Sequence, residues 1–137
     1  MIHLEPINLV EYWINSSEED YNVMKYLYKG KKNSYCLFFG HLVIEKLLKG
    51  LYVKNNQENP YPIKSHNLLL LAEKCKLDLT DEQIEKLQMI TQFNISARYD
   101  DYKKSFNQKC TDEYTSEQVN NIEEVRKWLK KLLMVES

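Results

Sequence analysis

The stretch from about Ser34 to Lys54 is apolar on almost every side when it is drawn as a helix, and it constrains the fold more than any other segment. A helix of this composition is buried on most of its surface, so other elements must surround it. One polar line interrupts it, because His41, Glu45 and Lys49 follow one another at intervals of four residues. The stretch therefore predicts a central helix that carries a single polar line.

The rest of the chain also shows helical rather than strand periodicity. Three glycines and three prolines in 137 residues leave few turn signals, and no alternating apolar and polar run appears. The four further predicted helices run from about Leu9 to Tyr28, over a short stretch after Ser65, from Thr80 to about Ala97, and from Thr115 to about Met134. Long helices with short connections predict an all-α fold, an up-and-down helical bundle of about five helices in one domain over residues 1–137.

Capping patterns mark the beginnings of these helices. The predicted caps are Asn8 with Glu11 (and Ile7 packed on Tyr12), Ser65 alone, Thr80 with Gln83, and Thr115 with Gln118. Residues 98–113 are a mixture of polar and aromatic residues, and the pattern assigns them no element.

Composition excludes several classes of protein. The net charge of −1 argues against a strongly basic, unspecific nucleic-acid binder, although it leaves room for a local basic groove. The longest run without a charged residue is too short to span a bilayer, and we expect no signal peptide. Cys36, Cys75 and Cys110 are widely spaced, so neither a disulfide framework nor a metal site is expected, no cofactor is indicated, and a reducing cytoplasm is the default.

Arginine is rare in this chain, since only Arg98 and Arg126 occur among 19 basic residues. If the fourth helix continues, Arg98 points about 20° from Leu87, along the apolar face. A guanidinium in that position needs an acidic partner or a bound anion. Asp20 and Glu45 are the candidate partners, and the alternatives are a structural ion pair, a phosphate-binding arginine or simple exposure.

The polar line on the central helix allows two interpretations. Glu45 and Lys49 have the favourable spacing for an intrahelical ion pair, with His41 satisfied in the core. Alternatively, these residues and Lys46 form a cleft wall that presents an acid, a base and an imidazole to a ligand.

Two other groups of residues are ambiguous in the same way. His66 lies near the predicted start of the third helix, where a local capping role is favoured over catalysis. Tyr99, Tyr102 and Lys103 either pack at the rim of the bundle, or stack bases while cations hold phosphate.

Four elements together resemble a known family. They are Trp13 with Glu19-Asp20-Tyr21, then Phe39, His41 and residues 45–50 (EKLLKG), then Ser65-His66-Asn67-Leu68 after a loop with prolines, and finally residues 97–102 (ARYDDY). In this order and spacing the set is similar to the HEPN domain (higher eukaryote and prokaryote nucleotide-binding), and the resemblance covers nearly the whole chain.

The resemblance implies a bundle of about five helices that usually dimerises and associates with RNA or nucleotides. Many prokaryotic members are encoded beside a minimal nucleotidyltransferase, as a toxin–antitoxin pair, and some pairs modify a tyrosine. Active members are metal-independent endoribonucleases whose signature is Arg, four to six residues, then His. Here Lys103, Lys104 and Ser105 occupy the positions where that histidine would stand, and no histidine follows Arg98.

The preferred interpretation is therefore a non-catalytic, homodimeric HEPN protein that pairs with a nucleotidyltransferase and binds nucleotide or RNA phosphate. The residues assigned to the phosphate and base are Arg98, Lys46, Lys49, Lys103, Tyr99 and Tyr102, with Asp20 and Glu45 as positioning acids. One alternative is a divergent endoribonuclease toxin that uses Arg98 with His41 or Lys103. The other is a bundle that serves only protein interaction.

Overall fold

The computed structural model describes residues 6–96 and 98–135, with side chains from residue 8 onward. The described residues contain six helices and no strand. They are α1 (Pro6–Lys29), α2 (Asn33–Asn55), α3 (Leu68–Lys74), α4 (Asp81–Thr91), α5 (Asp100–Lys109) and α6 (Asp112–Met134). The predicted all-α class is confirmed, and the structure has one helix more than the five predicted.

Helix α2 is the centre of the bundle, as its composition predicts. It contacts each of the other five helices. Its fully or nearly fully buried apolar side chains are Leu37, Val43, Ile44, Leu47, Leu48, Leu51 and Val53. Since burial of one such side chain contributes about 1.5–3 kcal/mol, the free energy of folding depends more on α2 than on any other helix.

Helices α1 and α2 lie side by side and are joined by three residues. Lys31 in this connection adopts a left-handed backbone with φ of 56°. The buried Ser17 hydroxyl donates to the carbonyl oxygen of Val43 at 2.9 Å. Gly40 lets the backbone of α2 approach both neighbours, because a Cβ there would overlap the side chain of Ile122 in α6.

A polar cluster links α1 to α6. The Arg126 guanidinium donates to Glu18 at 2.9 Å and lies 3.6 Å from the ring centroid of Tyr21. The Tyr21 hydroxyl donates to Glu123 at 2.9 Å. One of the two arginines of the chain therefore holds two helices together.

Helix α4 ends earlier than the periodicity predicts. The Thr91 hydroxyl donates to the carbonyl oxygen of Leu87 at 2.8 Å and accepts the main-chain N–H of Leu68 at 3.1 Å. The next residues leave the helix, and Asn94 Oδ1 accepts the hydroxyl two positions later at 2.8 Å. Local bonds of this kind compete with helical ones. The predicted extension to about residue 97 is therefore wrong.

The segment left unassigned by the sequence contains α5. Its first turn carries Asp100 and Asp101, which favour a helix N-terminus, and Phe106 is its buried residue. Helix α6 begins three residues earlier than predicted because Thr111, and not Thr115, is its cap. Thr115 is instead fully buried.

The other predicted caps had different outcomes. The capping box of Thr80 and Gln83 is confirmed in both directions, at 3.1 and 2.9 Å. Asn67, rather than Ser65, caps α3 through its side-chain oxygen. The predicted packing of Ile7 lies outside the described side chains.

Three further observations concern the sequence-based exclusions. None of the helices in the described residues is long and apolar enough to cross a membrane. Within the same part of the chain, no group of three or more His, Cys, Asp or Glu residues is placed to hold a metal ion. All three cysteines are free and buried, and burial raises the pKa of Cys36 and Cys75 to about 12.

Candidate anion-binding site

Arg98 follows the turn after α4 and is exposed to solvent. Its guanidinium carbon lies 4.7 Å from the ring centroid of Tyr102, and it forms no ion pair with the described residues. The expected pairing with Asp20 or Glu45 is therefore wrong. The reason is the early end of α4, because the projection that placed Arg98 on the apolar face assumed a continuous helix.

The two acids instead hold the lysines of α2. Asp20 lies 2.6 Å from the Lys46 ammonium, across the contact between α1 and α2. Glu45 accepts from Lys49 at 3.1 Å, as the spacing of four residues predicts. Neither lysine lines the same cleft as Arg98, so the predicted convergence of these cations is absent.

Arg98 does line a cleft of about 320 Å3, together with His66, Asn67, Thr91 and Asn94. We call it the His66–Arg98 cleft. No carboxylate is among its lining residues. Its one permanently charged group is the guanidinium, which is a planar, multiple donor suited to phosphate and carboxylate.

The two asparagine side chains of this cleft offer hydrogen-bond donors. Asn67 Oδ1 accepts the main-chain N–H of Leu70 at 3.1 Å, and Asn94 Oδ1 accepts the Ser96 hydroxyl at 2.8 Å. Both amide oxygens are thus occupied, and neither NH2 group bonds to another described residue. Together with Arg98, the cleft presents donors to a ligand and few acceptors, which is the requirement for binding an anion.

Glu45 of α2 contacts both His66, which lines this cleft, and Lys49 of its own helix. It is only 4% exposed, and its Oε1 lies 2.7 Å from His66 Nδ1 while its Oε2 accepts from Lys49. The Lys49 ammonium also lies 5.3 Å from the ring centroid of Trp13. Both carboxylate oxygens therefore have a cationic or hydrogen-bonded partner, as a buried charge requires.

His66 is held at two points although 62% of its side chain is exposed. Its Nδ1 faces Glu45, and its main-chain carbonyl oxygen lies 3.0 Å from His41 Nε2. With the proton on Nδ1, the neutral ring donates to the carboxylate and keeps an unprotonated Nε2. This nitrogen has no partner among the described residues and is available to a molecule in the cleft.

His41 does not reach the cleft. It is completely buried, and burial lowers the pKa of its imidazole, so the neutral form is favoured. Its Nε2–H donates to the main chain of His66, and its Nδ1 lies 3.9 Å from Glu45 without a hydrogen bond. His41 therefore positions His66, and the prediction that it touches a substrate is wrong for this structure.

The remaining predicted binding residues lie along the start of α5. Tyr99 is 89% exposed, whereas the Tyr102 hydroxyl donates to the carbonyl oxygen of Gln92 at 3.0 Å. Lys103 lines a second cleft of about 380 Å3, beside Phe38 and Phe39 of α2. Arg98 thus lies against Tyr102 and next to Tyr99 in the chain, while Lys103 lines a different cleft.

His66 is the site residue whose role the sequence analysis missed. The expected capping role belongs to Asn67, and the bond to Glu45 joins residues 21 positions apart. No sequence periodicity links Glu45 to His66. The available signal was that both lie in the elements that resemble the HEPN domain.

The structure is a helical bundle with an exposed arginine in a cleft that no carboxylate lines. The family model for the HEPN domain matches residues 10–132, and the chain belongs to this family. No match was found among curated proteins or among solved structures.

Proposed function

We propose that this HEPN protein binds the phosphate group of RNA or of a nucleotide in the His66–Arg98 cleft. The observation that carries the proposal is the set of residues that line the cleft, since Arg98 and two amide groups offer hydrogen-bond donors and no carboxylate is among them. Asp100 and Asp101 lie on the same part of the chain but do not line the cleft. A phosphate oxygen there would accept bonds from a charged and from neutral donors at once.

The exposed Tyr99 supports a nucleotide over inorganic phosphate as the natural ligand. Its ring is next to Arg98 in the chain and is almost fully accessible. An aromatic side chain in that position can stack on a base while the guanidinium holds the adjacent phosphate. The proposal assigns no binding role to Lys46 or Lys49, because Asp20 and Glu45 already pair with them.

Substitution of Arg98 tests this function. Titration of the protein with inorganic phosphate, a nucleoside monophosphate and a short RNA should raise the thermal midpoint, with about 2.7 kcal/mol gained at one hundred times Kd. Arg98→Ala should weaken binding roughly tenfold or more, since a hydrogen bond to a charged group contributes about 1.5–3 kcal/mol.

Lys104→Ala is the matched control, because it removes one exposed positive charge from α5. Equal affinities of all three proteins would contradict the proposal and leave the interaction bundle as the better interpretation.

We also propose that the protein is a cytoplasmic homodimer and the partner of a minimal nucleotidyltransferase, in a toxin–antitoxin-type pair. The family resemblance supports this, and so do Tyr12, Val23 and Tyr26, which are 53%, 39% and 77% exposed on one side of α1. The three free thiols fit a reducing compartment.

Two measurements test these proposals. Light scattering should give twice the 16.4 kDa of one chain, and co-expression with a nucleotidyltransferase encoded beside it should give a co-eluting complex. A monomer at micromolar concentration, or separate elution, would contradict the corresponding part.

A further inference from the structure

A second cleft, of about 380 Å3, is lined by the first half of α2, the residues just after α4, and α5. Its apolar lining includes Phe38 and Phe39 of α2 and Ile95 from the turn. Lys103 is the one cation among its lining residues, and no carboxylate is among them. We call it the Lys103 cleft. We propose that it binds a small aromatic carboxylate, separately from the phosphate assigned to the His66–Arg98 cleft.

The size and the apolar walls of this cleft favour a small organic ligand. Binding sites for such molecules usually measure about 300–1,000 Å3 and combine apolar walls with a few placed polar groups. Phe38 and Phe39 are only half-buried, although both pack against the core. Their rings meet edge to face, with centroids 5.6 Å apart and planes at 79°. A ligand ring can join this pair in the same geometry and cover the aromatic surface that is still exposed.

The polar groups of the Lys103 cleft are arranged for a carboxylate. Lys103 and Asn107 lie four residues apart, so their side chains leave α5 on the same face. Asn107 Oδ1 accepts the hydroxyl of Ser34 at 3.2 Å, and its NH2 group has no partner among the described residues. Ser34 is only 5% exposed, so it holds the amide from a buried position. One carboxylate oxygen can therefore accept from the ammonium and the other from the amide.

The charge of the Lys103 cleft favours a carboxylate over a phosphate monoester. The Lys103 ammonium forms no ion pair with another described residue, so an incoming anion displaces no acid. One ammonium beside apolar walls matches a single negative charge, whereas the second charge of a phosphate monoester would lose water without gaining a partner. The His66–Arg98 cleft has the opposite character, because its lining is polar and carries a guanidinium. The two clefts therefore suit different ligands.

Calorimetric titration of the full-length protein with 2-naphthoate tests the inference. We expect saturable binding, and 2-naphthalenemethanol, which has the same rings without the charge, should bind at least about fivefold more weakly, as loss of one partly exposed charge pair implies. Lys103→Ala should weaken 2-naphthoate binding by a similar factor and leave the Kd of the alcohol unchanged. Lys104→Ala is the matched control, because Lys104 is the next residue of α5 and does not line the cleft. It should change neither Kd.

Two further variants locate the ligand within the protein. Asn107→Asp keeps an acceptor for the Ser34 hydroxyl but places a negative charge beside Lys103, so it should weaken binding of 2-naphthoate and not of the alcohol. Arg98→Ala should leave the Kd of 2-naphthoate unchanged. Absence of saturable binding at millimolar 2-naphthoate, which a second copy of the chain covering the cleft would also cause, would overturn the inference. Equal affinity for the acid and the alcohol would overturn it too, as would loss of binding in Arg98→Ala.

Discussion

Phe93→Ala is expected to lower the free energy of unfolding by about 3–5 kcal/mol, which is the usual cost of removing a fully buried phenyl ring. Phe93 is the largest completely buried side chain among the described residues, and its ring lies 5.7 Å from that of Phe106 in α5. Small domains are stable by only about 5–15 kcal/mol, so the loss is a large fraction of the total. Urea denaturation followed by circular dichroism measures it.

The matched control is another aromatic truncation. Tyr35→Ala removes a ring that is 59% exposed, and its effect should stay within about 0.5 kcal/mol. Equal midpoints for Phe93→Ala and Tyr35→Ala would show that the residues after α4 do not anchor the connection that carries Arg98.

Gly40→Ala is expected to destabilise the protein by about 1–3 kcal/mol, as overpacking of a filled core does. The added Cβ would overlap Ile122 and lie 3.2 Å from Met24 Sδ, and both neighbours are buried. Elsewhere in a helix the same change stabilises by up to about 1 kcal/mol, because alanine has the higher helix propensity.

Gly50→Ala provides the comparison within the same helix. A Cβ at Gly50 would lie 3.4 Å from Trp13 Cβ and 3.6 Å from Leu133, which is ordinary van der Waals contact. Chemical denaturation of the two variants should therefore give changes of opposite sign or of clearly different size. Equal stabilisation by both substitutions would show that α2 has room at Gly40.

The central helix and the all-α class could be predicted because they depend on composition and local spacing. The segment around α2 is apolar on nearly every side, so its burial follows without knowledge of its partners. The same holds for the ion pair of Glu45 and Lys49 and for the capping box of Thr80 and Gln83, in which the partners are three or four residues apart.

The end of α4 could not be predicted from periodicity. Phe93 and Ile95 are buried although they lie outside any helix, so they continue the apolar pattern past the last helical residue. The chain leaves the helix where Asn94 and Ser96 form a local side-chain bond, and such bonds do not alter a pattern of apolar positions. Arg98 was placed wrongly for this reason alone.

The contact of Glu45 with His66 was beyond sequence reasoning for a different reason. It joins two segments through the packing of α3 on α2, and no short-range rule specifies that packing. The role of His41 was misjudged in the same way, because a histidine on a polar line looks accessible until its neighbours cover it.

The hydrogen bond from the N–H of Leu68 to Thr91 has a mechanical consequence. It ties the beginning of α3 to the end of α4, so the segments that carry His66 and Arg98 are fastened to each other. Glu45 belongs to α2 and lies outside that pair of helices. A small sliding of α3 and α4 together over α2 would therefore lengthen the hydrogen bond between Glu45 and His66 while His66 and Arg98 kept their distance from each other.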